Sequence, residues 1–176
     1  MKNLINIILF QLCWWVCVLG TANNLNYIGP ICMLIFLVLH LFYMNPNLEE
    51  TKFVILIGLF GTLVDTGLAG TGFISYEGLY TNNTKYFAPL WITAMWAGFA
   101  ATVNHSMYWL SDRPVSAFLL GVVFGPLSYI TGARLGVIHF HSSILNIIVI
   151  LAITWGISIL IIFGFNSRLL NHQGGN

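Results

Sequence analysis

The stretch "LWITAMWAGFAATVNHSMYWL", Leu90–Leu110, decides the class of this protein. It is long and apolar enough to cross a bilayer, whose hydrocarbon core takes about 20 residues of α-helix. Asn104, His105 and Ser106 nevertheless lie near its end. An ionisable group at bilayer depth costs about 2.5 to 3.5 kcal/mol, so it faces protein or water rather than lipid. The stretch therefore predicts a membrane helix with an inward-facing imidazole.

The composition of the whole chain agrees with this prediction. Of the 176 residues, 58% are hydrophobic and 6% are charged, whereas soluble domains carry about 25% charged residues. The formal net charge is +1, and no cluster of Lys and Arg is present that could neutralise phosphates. We predict an integral membrane protein with a single domain over residues 1–176 and no nucleic-acid partner.

Six apolar segments of about the length of a membrane span follow one another along the chain. We therefore predict an all-α, polytopic membrane protein, a bundle of six transmembrane helices joined by turns rich in Asn, Pro and Gly. The predicted spans are residues 4–22, 27–43, 53–73, 87–110, 115–136 and 143–165.

An even number of spans places both termini on one side of the membrane. Cytoplasmic loops carry an excess of Lys and Arg, and these residues divide four to two in favour of the terminal side. Both termini are therefore predicted to be cytoplasmic. Lys2, Lys52, Arg113 and Arg168 lie on the terminal side, and Lys85 and Arg134 lie on the other.

Four ionisable residues fall inside or at the ends of the predicted spans and are the candidate site residues: His40, Asp65, His105 and Arg134. Asp65 is the deepest of them. Small residues such as Gly58, Gly61 and Thr62 recur around it at three- and four-residue steps, a pattern typical of close helix–helix packing. Asp65 is thus predicted to face another helix, either as a structural hydrogen-bond acceptor or as a functional carboxyl.

His105 ends a second stripe of small residues formed by Ala94, Gly98 and Ala101 at helical spacing. Such a stripe favours contact with a neighbouring helix, so His105 is predicted to face inward. The alternative to a functional role is an imidazole that is satisfied by structural hydrogen bonds.

Arg134 lies nearly opposite a glycine face of the fifth predicted helix, which Gly121, Gly125 and Gly132 form. Two placements stay open. The side chain can extend to the membrane interface, or the bend expected at Pro126 can turn it inward to pair with Asp65.

His139 and His141 form a weak candidate metal pair, because alternate residues of an extended segment point the same way. Zinc requires a third or fourth ligand, which the pair alone does not supply. No phosphate-binding loop and no H-E-x-x-H or C-x-x-C motif is present, so we predict no cofactor.

Several stretches resemble a bacterial inner-membrane family that is catalogued only as a domain of unknown function. They are "CWWVCVLG" in the first predicted helix, "LVDTGL" in the third, "PLWITAMWAGFAATVNHSMYWL" in the fourth and "GPLSYITGARLG" in the fifth. The resemblance implies a location in the bacterial inner membrane. It also implies a role near membrane lipid, because members are associated with cyclopropane-fatty-acid-synthase-like and other lipid-modifying proteins.

Three functional hypotheses follow. The favoured one is a protein that binds membrane lipid, a protein partner or a second copy of itself. The alternatives are a membrane-embedded lipid-modifying enzyme that uses His40, Asp65 and His105, with or without a metal, and a small transporter in which Asp65 titrates. Under each hypothesis, Asp65→Leu or His105→Leu should disturb the protein more than a change at a position expected to face lipid, such as Ile159→Leu.

Overall fold

The computed structural model describes residues 1–79 and 86–171. Lys85, one of the charged residues used to predict the orientation of the chain in the membrane, lies outside the described residues. The described part contains six α-helices and two short strands. In chain order they are α1 Lys2–Ala22, α2 Ile28–Met44, α3 Leu48–Gly70, β1 Ile74–Tyr76, α4 Leu90–Val103, α5 Pro114–Arg134, β2 Ile138–Phe140 and α6 Ile144–Asn171.

Four of the six helices, α1, α3, α5 and α6, are long and apolar enough to cross a membrane. The other two are shorter: α2 has 17 residues and α4 has 14. At 1.5 Å per residue they extend about 25 and about 21 Å, less than the roughly 30 Å of a hydrocarbon core. The structure thus has the helical architecture of a membrane protein, with four helices of spanning length.

Two helix boundaries differ from the prediction, and each difference changes the structural element in which a polar residue lies. Helix α3 begins at Leu48 rather than near residue 53, because the Asn47 side chain caps it by accepting a 2.8 Å hydrogen bond from the Glu50 N–H. Helix α4 ends at Val103, and the chain then turns into a short 3-10 helix at Tyr108–Leu110. Glu50 is therefore in the first turn of α3, and His105 lies just beyond α4.

The two strands form an antiparallel ribbon that the all-α prediction missed. Ser75 pairs with His139 and Tyr76 pairs with Ile138. Gly72 and Gly136, with φ of +74° and +75°, precede the two strands, and glycine reaches this backbone region at little cost. The ribbon follows the ends of α3 and α5, so it lies at the end of the bundle away from the termini.

Glycines set the closest helix contacts, as the small-residue patterns predicted. In the α3–α4 contact, a Cβ placed on Gly58 would stand 3.3 Å from the Ala97 Cβ, and one on Gly61 would overlap the Trp96 ring. In the α5–α6 contact, Gly125 lies directly against Trp155. These contacts bring the aromatic side chains of α4 and α6 into the centre of the molecule.

The expectation that Ile159 faces lipid was wrong. Ile159 is only 5% exposed, and its side chain packs against Gly121 of α5. Helix α6 is apolar on all sides, so its sequence gives no stripe that would distinguish its lipid-facing side from its protein-facing side. Ile157, which is exposed, is the appropriate lipid-facing comparison.

Candidate functional sites

Polar side chains gather at two separate places in the helix bundle. The first, which we call the Asp65 cluster, comprises Asp65, Tyr76, Trp96 and Tyr129. The second, the histidine cluster, comprises Asn6, His40, Glu50, His105 and Ser106. Glu50 and Asp65 belong to the same helix and are fifteen residues apart, which corresponds to about 22 Å along its axis. The two clusters therefore lie at different depths.

Asp65 is completely buried and accepts hydrogen bonds from three elements of the fold. Its Oδ1 accepts from the Tyr76 hydroxyl of β1 at 2.6 Å and from the Tyr129 hydroxyl of α5, and its Oδ2 accepts from the Trp96 indole N–H of α4 at 2.6 Å. The carboxyl group thus ties the ribbon, α4 and α5 to α3. Its predicted inward orientation agrees with the structure.

Tyr76 reaches Asp65 from β1, outside the helices. Burial, reinforced by the neighbouring Asp65 carboxyl, raises the pKa of the Tyr76 phenol well above its ordinary value. The hydroxyl therefore keeps its proton at physiological pH and acts as a donor to Asp65.

A cavity of about 610 Å³ extends from the Asp65 cluster between α1 and α4 on one side and α5 and α6 on the other. Trp96 and Trp155 stack at its wall with ring centroids 4.5 Å apart and planes 8° apart. The lining is mainly apolar and aromatic, with Phe10, Trp14 and Leu120 among the side chains that face it.

In the histidine cluster, the Glu50 carboxylate lies between two imidazoles. Glu50 Oε1 is 2.7 Å from His105 Nε2 and 3.4 Å from His40 Nε2. The two imidazole rings meet edge to face, with centroids 5.0 Å apart at 75°. His40 and Glu50 are buried, whereas the His105 side chain is 16% exposed.

Asn6 of α1 supports the histidine cluster from one side. Its Nδ2 donates to the Ala101 carbonyl at 3.2 Å and lies 3.3 Å from His40 Nδ1, while its Oδ1 accepts from the Ser106 hydroxyl at 3.0 Å. A second cavity of about 220 Å³ reaches Asn6 and His40. Four helices, α1 to α4, contribute to this cluster through residues at or near their ends on the terminal side.

The structure therefore brings two of the four candidate residues together, His40 and His105, and places Asp65 elsewhere. Arg134 is exposed in the last turn of α5. The Asp65 oxygens accept hydrogen bonds from Tyr76, Trp96 and Tyr129. Within the described residues, the ion pair between Arg134 and Asp65, one of the two placements considered for Arg134, is therefore not formed.

His139 and His141 do not share a partner. His139 Nε2 lies 2.8 Å from Glu77 Oε1, and His141 Nε2 lies 2.8 Å from the Ser75 hydroxyl, and both contacts are exposed. Within residues 1–79 and 86–171, the group of three potential metal ligands is instead His40, Glu50 and His105, whose ligand atoms all lie within 4.8 Å of one another.

Glu50 was not among the predicted site residues, because the segment "MNPNLEETK" was predicted to be a turn between two helices. The spacing Asn47-x-x-Glu50 is a variant of the helix-capping pattern and could have placed Glu50 inside a first helical turn. Asn6, Tyr76 and Tyr129 have no comparable local signal, because only the packing of distant segments brings them to the clusters.

Comparison with known proteins identifies the family of this chain. Neither the curated proteins nor the solved structures contain a significant match to it. Residues 3–161, most of the chain, match a protein family, and this range includes all the residues of both clusters. The chain therefore belongs to the family described as "Protein of unknown function (DUF2878)".

Proposed function

We propose that this protein is a lipid-binding protein of the bacterial inner membrane, and that the 610 Å³ cavity holds an acyl chain of a membrane lipid. The observation that carries this proposal is the size and apolar lining of that cavity. In the membrane, the chain crosses six times with both termini in the cytoplasm.

The cavity has the dimensions of a ligand site. Pockets that bind small molecules have volumes of roughly 300 to 1,000 Å³ and mostly apolar and aromatic walls, and this cavity fits both criteria. Asp65 and Tyr129 reach its wall, but their polar atoms are bonded within the Asp65 cluster. The hydroxyls of Ser128 and Thr131, which also line the cavity, donate to backbone carbonyls of α5. The space therefore favours a hydrocarbon chain over a polar headgroup.

The cavity also opens toward the membrane. Its lining includes Trp15, Trp109, Phe124 and Leu127, which are exposed on the outside of the bundle. Acyl chains surround this surface in a bilayer, so a lipid chain can enter sideways without passing through water. Apolar burial of that kind contributes about 25 cal/mol per Å².

Helix α4 can complete its crossing with the segment that follows it, and α2, with 17 residues, is at the lower limit of the lengths that span a bilayer. Residues 104–110 continue α4 as turns and a 3-10 helix, and a bilayer adapts to short spans by thinning locally. Six crossings then place the ends of α2 and α4, with the histidine cluster, on the cytoplasmic side.

Lipid analysis of a matched pair of variants tests the proposal. Leu120 lines the cavity, whereas its neighbour Leu119 is 54% exposed and lies outside it. Leu120→Trp should fill part of the space and reduce the lipid that remains with the detergent-purified protein, and Leu119→Trp should not. Extraction and mass spectrometry of the bound lipid, expressed per mole of protein, measure the difference.

The outcome separates the alternatives. Near-stoichiometric lipid in the wild type and in Leu119→Trp, but several-fold less in Leu120→Trp, supports acyl-chain binding. Wild-type protein that retains no lipid, or equal lipid in the two variants, contradicts it. A protein partner or a second copy recovered in place of lipid would favour the interaction role instead.

A further inference from the structure

We propose that His40, Glu50 and His105 bind one divalent transition-metal ion through the two imidazole Nε2 atoms and the Glu50 carboxylate. None of these three ligands lines the acyl-chain cavity, although the neighbouring Ser106 does, and the inference does not rest on lipid binding. It replaces the metal pair considered at His139 and His141 with a set of three ligands from α2, α3 and the turn that follows α4.

The distances between the ligand atoms fit a single ion. Zinc binds His nitrogen at about 2.0 to 2.1 Å and carboxylate oxygen at about 2.0 to 2.2 Å, so tetrahedral ligand atoms lie about 3.3 Å apart. The Glu50 oxygen is 3.4 Å from His40 Nε2 and 2.7 Å from His105 Nε2. All three ligand atoms lie within 4.8 Å of one another, so an ion bound by all three requires these separations to change by no more than about 1.5 Å.

One of the ligand atoms also lacks a hydrogen bond. His40 Nε2 is buried and makes no hydrogen bond of good geometry to any residue that the structure describes. Buried polar atoms are nearly always satisfied, and a native exception points to an ion or water at the site. A metal bound to Nε2 would satisfy this atom and would also neutralise the buried Glu50 carboxylate.

His40 Nδ1 lies beside the Asn6 amide, whose nitrogen faces it as a donor, so metal binding through Nε2 requires a change at Asn6. Ligating histidines commonly donate their second ring N–H to a nearby acceptor, and Asn6 occupies that position beside Nδ1. For His40 to bind metal through Nε2, the Asn6 amide turns so that its oxygen accepts from Nδ1–H. Ser106 can follow this turn because a hydroxyl both donates and accepts, whereas the Ala101 carbonyl loses its donor.

The ligand set also defines the class of metal. Two imidazoles and one carboxylate suit zinc and ferrous iron, and three protein ligands leave at least one coordination position for water or a substrate. The 220 Å³ cavity beside the site is lined by His40 and Asn6, and the His105 side chain is 16% exposed.

Metal binding by matched variants tests the site. The full chain, purified without a histidine tag, is freed of metal and titrated with Zn²⁺, Co²⁺ and, without oxygen, Fe²⁺. Glu50→Gln removes the bridging ligand, and Glu49→Gln removes the adjacent carboxylate, which pairs with Lys52 on the surface. Elemental analysis gives the stoichiometry and the preferred metal, and the visible absorption of Co²⁺ reports its coordination.

The proposal expects one ion per chain in the wild type and in Glu49→Gln, and an affinity at least about tenfold lower in Glu50→Gln. His105→Gln, at a half-buried position, should show the same loss and serves as the second variant if Glu50→Gln does not fold. Wild-type protein that binds none of the three metals overturns the proposal and leaves the cluster as a carboxylate–imidazole pair. Equal affinity in Glu49→Gln and Glu50→Gln also overturns it.

Discussion

The Asp65 cluster and the histidine cluster each place a carboxyl group of α3 among aromatic or imidazole side chains, but they differ in how completely that group is bonded. Asp65 is fully buried and accepts hydrogen bonds from three donors. Glu50 has one short contact, to His105, and one longer contact, to His40. Both oxygens of Asp65 accept hydrogen bonds, whereas both imidazole contacts of Glu50 are to the same oxygen.

This difference separates a structural role from a binding role. The Asp65 carboxyl group accepts hydrogen bonds from β1, α4 and α5. It therefore has little capacity left to bind a ligand, and it holds those elements in place. Both clusters border a cavity, but the histidine cluster also retains bonding capacity for a ligand.

The largest effect is expected at Asp65. In Asp65→Leu, the buried donors of Tyr76, Tyr129 and Trp96 lose their acceptor, and each orphaned donor costs about 1 to 3 kcal/mol. We expect the free energy of unfolding to fall by about 3 kcal/mol or more. Unfolding in mixed micelles of increasing SDS content, followed by far-ultraviolet circular dichroism, measures the change.

Leu63→Ala is the control for that substitution, because Leu63 lies on the exposed side of the same helix. It should change the free energy of unfolding by less than about 1 kcal/mol. If Asp65→Leu is no more destabilising than Leu63→Ala, Asp65 does not hold the bundle together, and the contrast between the clusters disappears.

An intermediate effect is expected at Tyr129. Tyr129→Phe removes one donor from Asp65 and leaves the other two, so we expect a loss of about 1 to 3 kcal/mol in the same SDS titration. Tyr108→Phe, at an exposed tyrosine, should be close to neutral. A loss at Tyr129 as large as that at Asp65 would mean that the three bonds act as one cooperative unit.

The helical architecture and the inward direction of Asp65 and His105 could be predicted from sequence because both depend on local patterns. Apolar runs of spanning length predict membrane helices, and small residues at helical spacing predict close helix contacts. In the structure, the close contacts of Gly58 with Ala97 and of Gly61 with Trp96 agree with the prediction from the small residues.

The composition of the clusters could not be predicted in the same way, because it depends on which segments meet. Tyr76 reaches Asp65 only because β1 pairs with β2, a ribbon of three-residue strands that is too short to give an alternating pattern. Glu50 joins His40 and His105 because α3 begins one turn earlier than its apolar run indicates. One sequence gives no information on such distant pairings.

The smallest effect is expected at Ser106, at the edge of the histidine cluster. Ser106→Ala removes the 3.0 Å hydrogen bond to Asn6 Oδ1, and because Ser106 is only half-buried, water can replace part of that bond. We therefore expect a loss of about 0.5 to 1.5 kcal/mol in the SDS titration of metal-free protein, against no measurable change for Ser167→Ala at an exposed position of α6. A loss of about 2 kcal/mol or more would show that the histidine cluster is as closed as the Asp65 cluster. The measured free energies of unfolding would then not support a greater bonding capacity in the histidine cluster.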